Sequence, residues 1–315
     1  MICKSIPLFS ESRSFLCKHN AFVGGAIFIE SHHLLLDKML RIIILFLHKN
    51  GLSMTQVKRP SILITNDDGI HAPGIKHLWQ AISSFADVTV VAPATEQSAV
   101  SLSITIRNPL HIEKVTWPAN VDVWSVSGTP ADCVKLGLNV VLESPPDLIL
   151  SGINRGTNAG RNVLYSGTVG GVIEGIMHNI PGIAFSCYDF HDPAYAAAEK
   201  YIPLIVRHIL QHPLPNGTFL NVNFPPKHLN EIKGIKLTRQ GKEYWVENPD
   251  KREHPNQGNS YYWLGAKLAK FEEEADSDIP LLQQGYLTAV PVHVGELTDH
   301  HHLTAHRDHF EQLSL

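Results

Sequence analysis

Asp67 and Asp68 stand side by side after the apolar run Ile62-Leu63-Ile64-Thr65-Asn66, and Gly69 follows them. Two adjacent carboxylates repel each other, and a bound cation relieves that repulsion. The run before them has the unbroken apolar character of a strand buried on both faces of a parallel sheet. Beyond Ile70-His71-Ala72-Pro73-Gly74, apolar residues recur at helical spacing as Ile75, Leu78, Trp79 and Ile82. The pair therefore lies between the carboxyl end of a strand and a helix, in the crevice where open α/β sheets bind ligands. Two readings are open on this stretch alone: a metal site, or one aspartate capping the helix with the other solvated.

Two more strand ends carry oxygen-bearing side chains. Val88 to Pro93 leads to Glu96-Gln97-Ser98, and Asp147 to Ser151 leads through Gly152-Ile153 to Asn154. In a parallel sheet the three ends share one edge, so these groups can converge. Carboxylate, hydroxyl and amide oxygens make a hard donor set, suited to Mg²⁺ or Mn²⁺ and not to a zinc site of Cys and His. Singly, Ser98 or Asn154 reads as a turn or capping residue. The glycine-rich run Asn154 to Gly160 is followed by Tyr165-Ser166-Gly167-Thr168-Val169-Gly170-Gly171 at a helix start. Backbone N–H groups there are free to meet an anion such as phosphate, unless Ser166 or Thr168 is an ordinary cap. No G-x-x-x-x-G-K-[ST], strand-borne G-x-G-x-x-G or G-x-S-x-G is present.

The elements that must position these groups alternate strand and helix. After the strands already named come Asp122–Val126, a helix opened by Thr129 as N-cap and Pro130 at its first position, a helix Thr168–Asn179, a strand Ile183–Ser186 and an amphipathic helix Tyr195–Gln211. This order predicts an α/β fold with a doubly wound, mostly parallel sheet, Rossmann-like in plan. The C-terminal third changes character, with polar alternation in Thr218–Phe224, a polar stretch from Lys242 to Gly258, a hairpin strand Tyr261–Leu264 and a late strand Gly285–Val292. It reads as a β-hairpin or extended oligomerisation arm beginning at about residue 217. Residues 1–53 do not fit a membrane span, because Asp37, Lys38 and Arg41 interrupt their apolar runs, nor a secretory signal, because a charged start is followed by a long polar gap; an interfacial amphipathic anchor is the alternative. They are expected to lie outside a catalytic fold spanning 54–315.

With 26 Lys+Arg against 30 Asp+Glu among 315 residues, nothing suggests a nucleic-acid surface. The four cysteines, Cys3, Cys17, Cys133 and Cys187, form no C-x-x-C pair and read as reduced thiols of a cytoplasmic protein. Cys133 and Cys187 have apolar surroundings and read as core. The histidines from His293 to His309 read as a solvated tail.

Asn66-Asp67-Asp68-Gly69-Ile70-His71-Ala72-Pro73-Gly74 resembles the N-D-D-G-x-x-A-x-G signature of the SurE family of 5′/3′-nucleotidases. Ala92-Pro93 with Glu96-Gln97-Ser98, Ser127 to Val134, Pro146 to Gly156, Asn158-Ala159-Gly160 and Tyr165 to Val169 follow in the family's order. The resemblance implies a phosphomonoesterase that converts nucleoside 5′- and 3′-monophosphates to nucleoside and phosphate, with short polyphosphate a further substrate. It implies one Mg²⁺ or Mn²⁺ per subunit, held by Asp67, Asp68, Ser98 and Asn154. Asn158 and Ser166-Gly167-Thr168 match the phosphate-contacting region, and a homodimer or homotetramer is expected. Asp67 or Asp68 would orient a water or accept its proton, a covalent aspartyl-phosphate being the mechanistic alternative. A non-catalytic nucleotide sensor or a phosphotransferase would use the same ligands. Position 162 is Asn where many relatives carry Asp, and residues 1–53 have no counterpart in the family pattern.

Overall fold

The computed structural model describes residues 58–313 apart from 120, 230 and 266. Of the two units into which the chain divides, Arg59–Leu315 carries everything below. The expected boundary at residues 53 and 54 lies outside the described residues.

The strands are β1 Ser61–Thr65, β2 Asp87–Pro93, β3 Ile112–Lys114, β4 Asp122–Val126, β5 Leu148–Arg155, β6 Gly182–Cys187, β7 Thr218–Phe224, β8 Ile235–Leu237, β9 Tyr244–Val246, β10 Asp250–Glu253, β11 Ser260–Trp263, β12 Lys267–Ala269 and β13 Leu287–His293. The helices are α1 Pro73–Ile82, α2 Pro130–Leu136, α3 Gly167–Met177, α4 Tyr195–Gln211, α5 Asp278–Gln283 and α6 His300–Glu311. A nine-stranded sheet has the order β3-β4-β2-β1-β5-β6-β7-β13-β8. From β4 to β7 all neighbours are parallel, while β3 and β13 run antiparallel to β4 and β7. The chain leaves β1 first toward β2 and β4, then returns to lay β5, β6 and β7 on the other side. The winding reverses between β1 and β5, which is the topological switch point of a doubly wound sheet.

Alternation within β1 shows why the sheet must be covered on both faces. Ile62 and Ile64 join a core with Ile75, Leu78 and Ile82 of α1 and with Ile202, Val206 and Ile209 of α4. Leu63, pointing the other way, packs with Cys133 and Val134 of α2. On that second face Val169, Val172 and Ile176 of α3 meet Phe219 of β7. Burying each large apolar side chain stabilises the fold by about 1.5–3 kcal/mol.

Two expectations are corrected. The strand expected to end at Ser151 continues to Arg155, across a register shift between Ser151 and Asn154. Gly152 makes this possible: its φ is +128°, and a Cβ there would lie 2.3 Å from the Phe185 carbonyl oxygen. The arm does not begin at about 217, because β7 and β13 are integral to the main sheet. All seven residues of β7 are buried, and Asn221 and Asn223 hydrogen-bond the loop at Thr157 and Asn158. The excursion is confined to the antiparallel pairs β9 with β12 and β10 with β11. The histidine-rich tail forms α6, exposed along its whole length and capped by Asp299.

Candidate functional site at the β1–β5 switch point

The two strands that flank the reversal carry the expected ligands. Asp67 and Asp68 follow β1, and Asn154 is the penultimate residue of β5. Asp67 is buried, and its Oδ1 accepts a hydrogen bond from the Thr168 hydroxyl in the first turn of α3. Burial pushes the Asp67 carboxyl up to about 6; the Thr168 bond opposes that shift and the Asp68 charge adds to it. Gly167 allows the approach, since a Cβ there would lie 2.9 Å from the Cβ of Asp67.

Asp68 faces the other way. Its Oδ1 accepts from Arg155 Nε at 3.0 Å and its Oδ2 from the Arg155 backbone N–H at 3.2 Å. Burial raises the Asp68 carboxyl above its ordinary value, against the pull of these bonds. Arg155 also pairs with Glu96, whose Oε1 accepts from Ser98 Oγ at 2.5 Å. A continuous chain of contacts thus joins Ser98, Glu96, Arg155 and Asp68 across the ends of β2, β5 and β1. Asn154 donates through Nδ2 to the Gly156 carbonyl at 2.8 Å, which leaves its amide oxygen for another partner.

The loop that carries Ser98 is pinned at several points. Gln97 N donates to the Asp67 carbonyl at 2.7 Å, and Ser101 donates through N and Oγ to Tyr165 and Leu164. Thr129 and Asp132 form the capping box of α2 and reach back, Thr129 Oγ1 donating to Ser103 O and Asp132 Oδ1 accepting from Thr105 N. Ala99 and Ser101 take φ of 56° and 53°, a region costly for side chains with a Cβ.

The phosphate candidates divide. Ser166 is the N-cap of α3 and accepts from Val169 N at 3.2 Å, so its own hydrogen stays available. The Gly167 and Thr168 N–H groups lie in a first turn, where no intrahelical acceptor exists. Thr168 spends its hydroxyl hydrogen on Asp67. Asn158 gives one amide hydrogen to Ser186 Oγ at 2.8 Å and keeps the other. Asn162 is buried, and its Oδ1 accepts from Trp245 N at 3.0 Å, a bond that fastens β9 to the loop between β5 and α3.

The donor set fits a hard divalent cation. Asp67, Asp68, Ser98 and Asn154 offer only oxygen. Asn66 Oδ1, Thr65 Oγ1 and Ser151 Oγ, at the same ends of β1 and along β5, are buried without a hydrogen-bond partner. Among the described residues no group of three or more His, Cys, Asp or Glu competes as a metal centre. Burial pushes the Cys187 thiol up to about 12 and Cys133 well above its ordinary value, so both stay protonated at neutral pH.

Sequence reasoning gave no role to Arg155 and counted Glu96 only among the oxygen-bearing groups at its strand end, although both lie inside the motifs it singled out. The signal was the arginine next to Asn154, at the one strand end that faces two acidic ones. Burial and the nearby Asp68 carboxylate raise the pKa of the Tyr195 hydroxyl.

The SurE family model, described as survival protein SurE, matches residues 62–247. A 5′-nucleotidase SurE of Protochlamydia amoebophila is 63% identical over 254 residues, covering 80% of this chain and 97% of the relative. One of Thermosipho africanus is 42% identical over 255 residues, covering 81% of this chain and 99% of the relative. The crystal structure of the SurE protein from Aquifex aeolicus superposes with a TM-score of 0.69 at 39% identity, covering 80% of this chain and all of that one.

Proposed function

The chain belongs to the SurE family, and from that premise we infer that it is a 5′-nucleotidase, hydrolysing nucleoside 5′-monophosphates to nucleoside and phosphate. We extend the proposal to 3′-monophosphates and short polyphosphate. The observation that carries it is the pair of carboxylates at the end of β1, Asp67 tied to the first turn of α3 and Asp68 linked through Arg155 to Glu96 and Ser98, beside the end of β5 at the switch point.

The family is metal-dependent in general. Here the ion is proposed to be Mg²⁺ or Mn²⁺, one per subunit, held by Asp67, Asp68, Ser98 and Asn154. When bound, such an ion supplies Lewis-acid activation of a phosphate oxygen and lowers the pKa of water. The rest falls to the chain. The Gly167 N–H, the Ser166 hydroxyl and the spare Asn158 amide hydrogen bind the equatorial phosphoryl oxygens, where charge accumulates. Asp67, held by Thr168, would orient or deprotonate the attacking water. Arg155 keeps Asp68 and Glu96 fixed, so neither has to be ordered during the reaction.

Phosphate release from a panel of nucleoside monophosphates and short polyphosphates, with each divalent cation in turn, tests this reading. Release that is abolished by chelation and restored by Mg²⁺ or Mn²⁺ is expected. Saturable nucleotide binding without release would leave a sensor instead.

We further propose a cytoplasmic homodimer or homotetramer whose contact involves the β9–β12 region, with residues 1–53 outside the catalytic fold. Among the described residues no helix is long and apolar enough to cross a membrane.

A further inference from the structure

The catalytic arrangement leaves one conspicuous neighbour unused. Phe190 lies between β6 and α4, at the same sheet edge as the carboxylates, and is 49% exposed. Its ring faces the Arg155 guanidinium, whose Cζ stands 4.6 Å from the ring centroid. His191 packs against the same ring at 5.2 Å and 87°. The segment is held on both sides of the ring. Lys227 donates its backbone N–H to Asp189 at 2.6 Å, and its ammonium contacts both carboxylate oxygens of Asp192 at 2.6 Å. Phe190 is therefore a solvent-facing aromatic presented by a fastened loop, with a cation behind it.

The order of the sheet gives it a direction. The first turn of α3 stands over Asp67 at the end of β1, Arg155 ends β5, and Phe190 follows β6. A nucleotide whose phosphate meets α3 and whose sugar crosses the end of β5 brings its base to Phe190. We propose that Phe190, backed by Arg155, is the platform on which the substrate's nucleobase stacks. This rests on the nucleotidase reading and adds to it the means by which the base is bound. Stacking uses the π-face that every base has, so such a platform binds nucleotides with little choice among bases. Arg155 then links the two halves of the site, holding Asp68 through Nε while its plane supports the ring.

The test compares kcat/KM for nucleoside monophosphates with kcat/KM for ribose 5-phosphate, which carries no base. Phe190→Ala should lower that ratio about tenfold, mainly through KM, for purine and pyrimidine alike, and Phe190→Tyr should restore it. Thermal melts check that both variants are folded. A ratio equal to that of the wild type in Phe190→Ala, with wild-type nucleotide cleavage intact, overturns the platform and leaves the nucleotidase reading standing. Wild-type protein that releases phosphate from ribose 5-phosphate but from no nucleotide overturns the nucleotidase reading itself.

Discussion

The hydroxyl of Thr168 donates to Oδ1 of Asp67, so the first turn of one helix is fastened to the carboxylate at the end of the neighbouring strand. A threonine expected to touch phosphate thereby orients a carboxylate that is proposed to hold the metal. Thr168→Val keeps the shape and removes the donor. Turnover should fall about tenfold or more, with a smaller rise in melting temperature on adding Mn²⁺. Wild-type rates and an unchanged rise would show that the contact is structural only.

Asp67→Asn and Asp68→Asn each remove one charge from the proposed cation site while keeping an oxygen. Each should lower the nucleotidase rate by about 10² or more and abolish most of the metal-induced stabilisation. The metal-free Asp67→Asn protein should be no less stable than wild type, because a buried carboxylate and its repulsion are both gone. A merely capping aspartate gives the opposite pattern: about 1 kcal/mol of stability lost and catalysis intact. Melting curves with and without Mn²⁺, beside rate measurements, separate the two.

Arg155 supplies the positive charge that holds Asp68 and Glu96 in the absence of an ion. Arg155→Ala should tighten divalent cation binding, because two carboxylates lose their counter-charge, and yet reduce turnover through loss of alignment. Calorimetric titration with Mn²⁺ alongside rates checks this, and weaker cation binding would contradict it.

Asp278 is fully buried and accepts N–H bonds from Gly160 at 3.0 Å and Gly241 at 2.8 Å, tying the loop after β5 to the segment that leads into β9. Burial pushes its carboxyl up to about 6, against 3.8 for an ordinary aspartate. The folded protein therefore holds this proton where the unfolded chain has lost it. Stability from this group is full below about pH 4 and is lost as pH rises through 6, on the order of 3 kcal/mol across that window. Asp278→Asn carries a constant penalty for altered hydrogen bonding but no such slope. Denaturant melts at several pH values, taken as the difference between wild type and variant, read it directly; a pH-independent difference would refute it.

A chain beginning at Met54 should keep full nucleotidase activity, since every motif of the site lies beyond it. A truncated protein that folds but loses most of its turnover would place residues 1–53 within the functional unit.

Periodicity alone carried much of this architecture. The bounds of α4 and β7 match their sequence expectation residue for residue, because a long amphipathic pattern or a compact strand closed by proline leaves little freedom. The carboxylate pair was legible because apolar strands rarely end in two like charges. What was not legible depends on partners distant in sequence. Polar alternation in Thr218–Phe224 does not say where Asn221 and Asn223 point, and only the loop at 157–158, folded over β7, explains why they are buried. The extension of β5 to Arg155 rests on a glycine conformation that no periodicity reveals. Arg155 itself acquires meaning only once β1, β2 and β5 are neighbours.

The left-handed residues beside Ser98 have an implication for engineering. Ala99 and Ser101 hold an unfavourable backbone, each at a cost on the order of 1 kcal/mol, and the bonds from Asp67, Tyr165 and Asp132 keep the segment in place. Ala99→Gly or Ser101→Gly relieves that tension in the folded protein but widens the unfolded ensemble, so the net change in melting temperature is small. The turn would then wander between conformers, and Ser98 with it. Consensus or thermostability design that scores only the folded energy would accept such glycines, and activity would report the loss before any melting curve did.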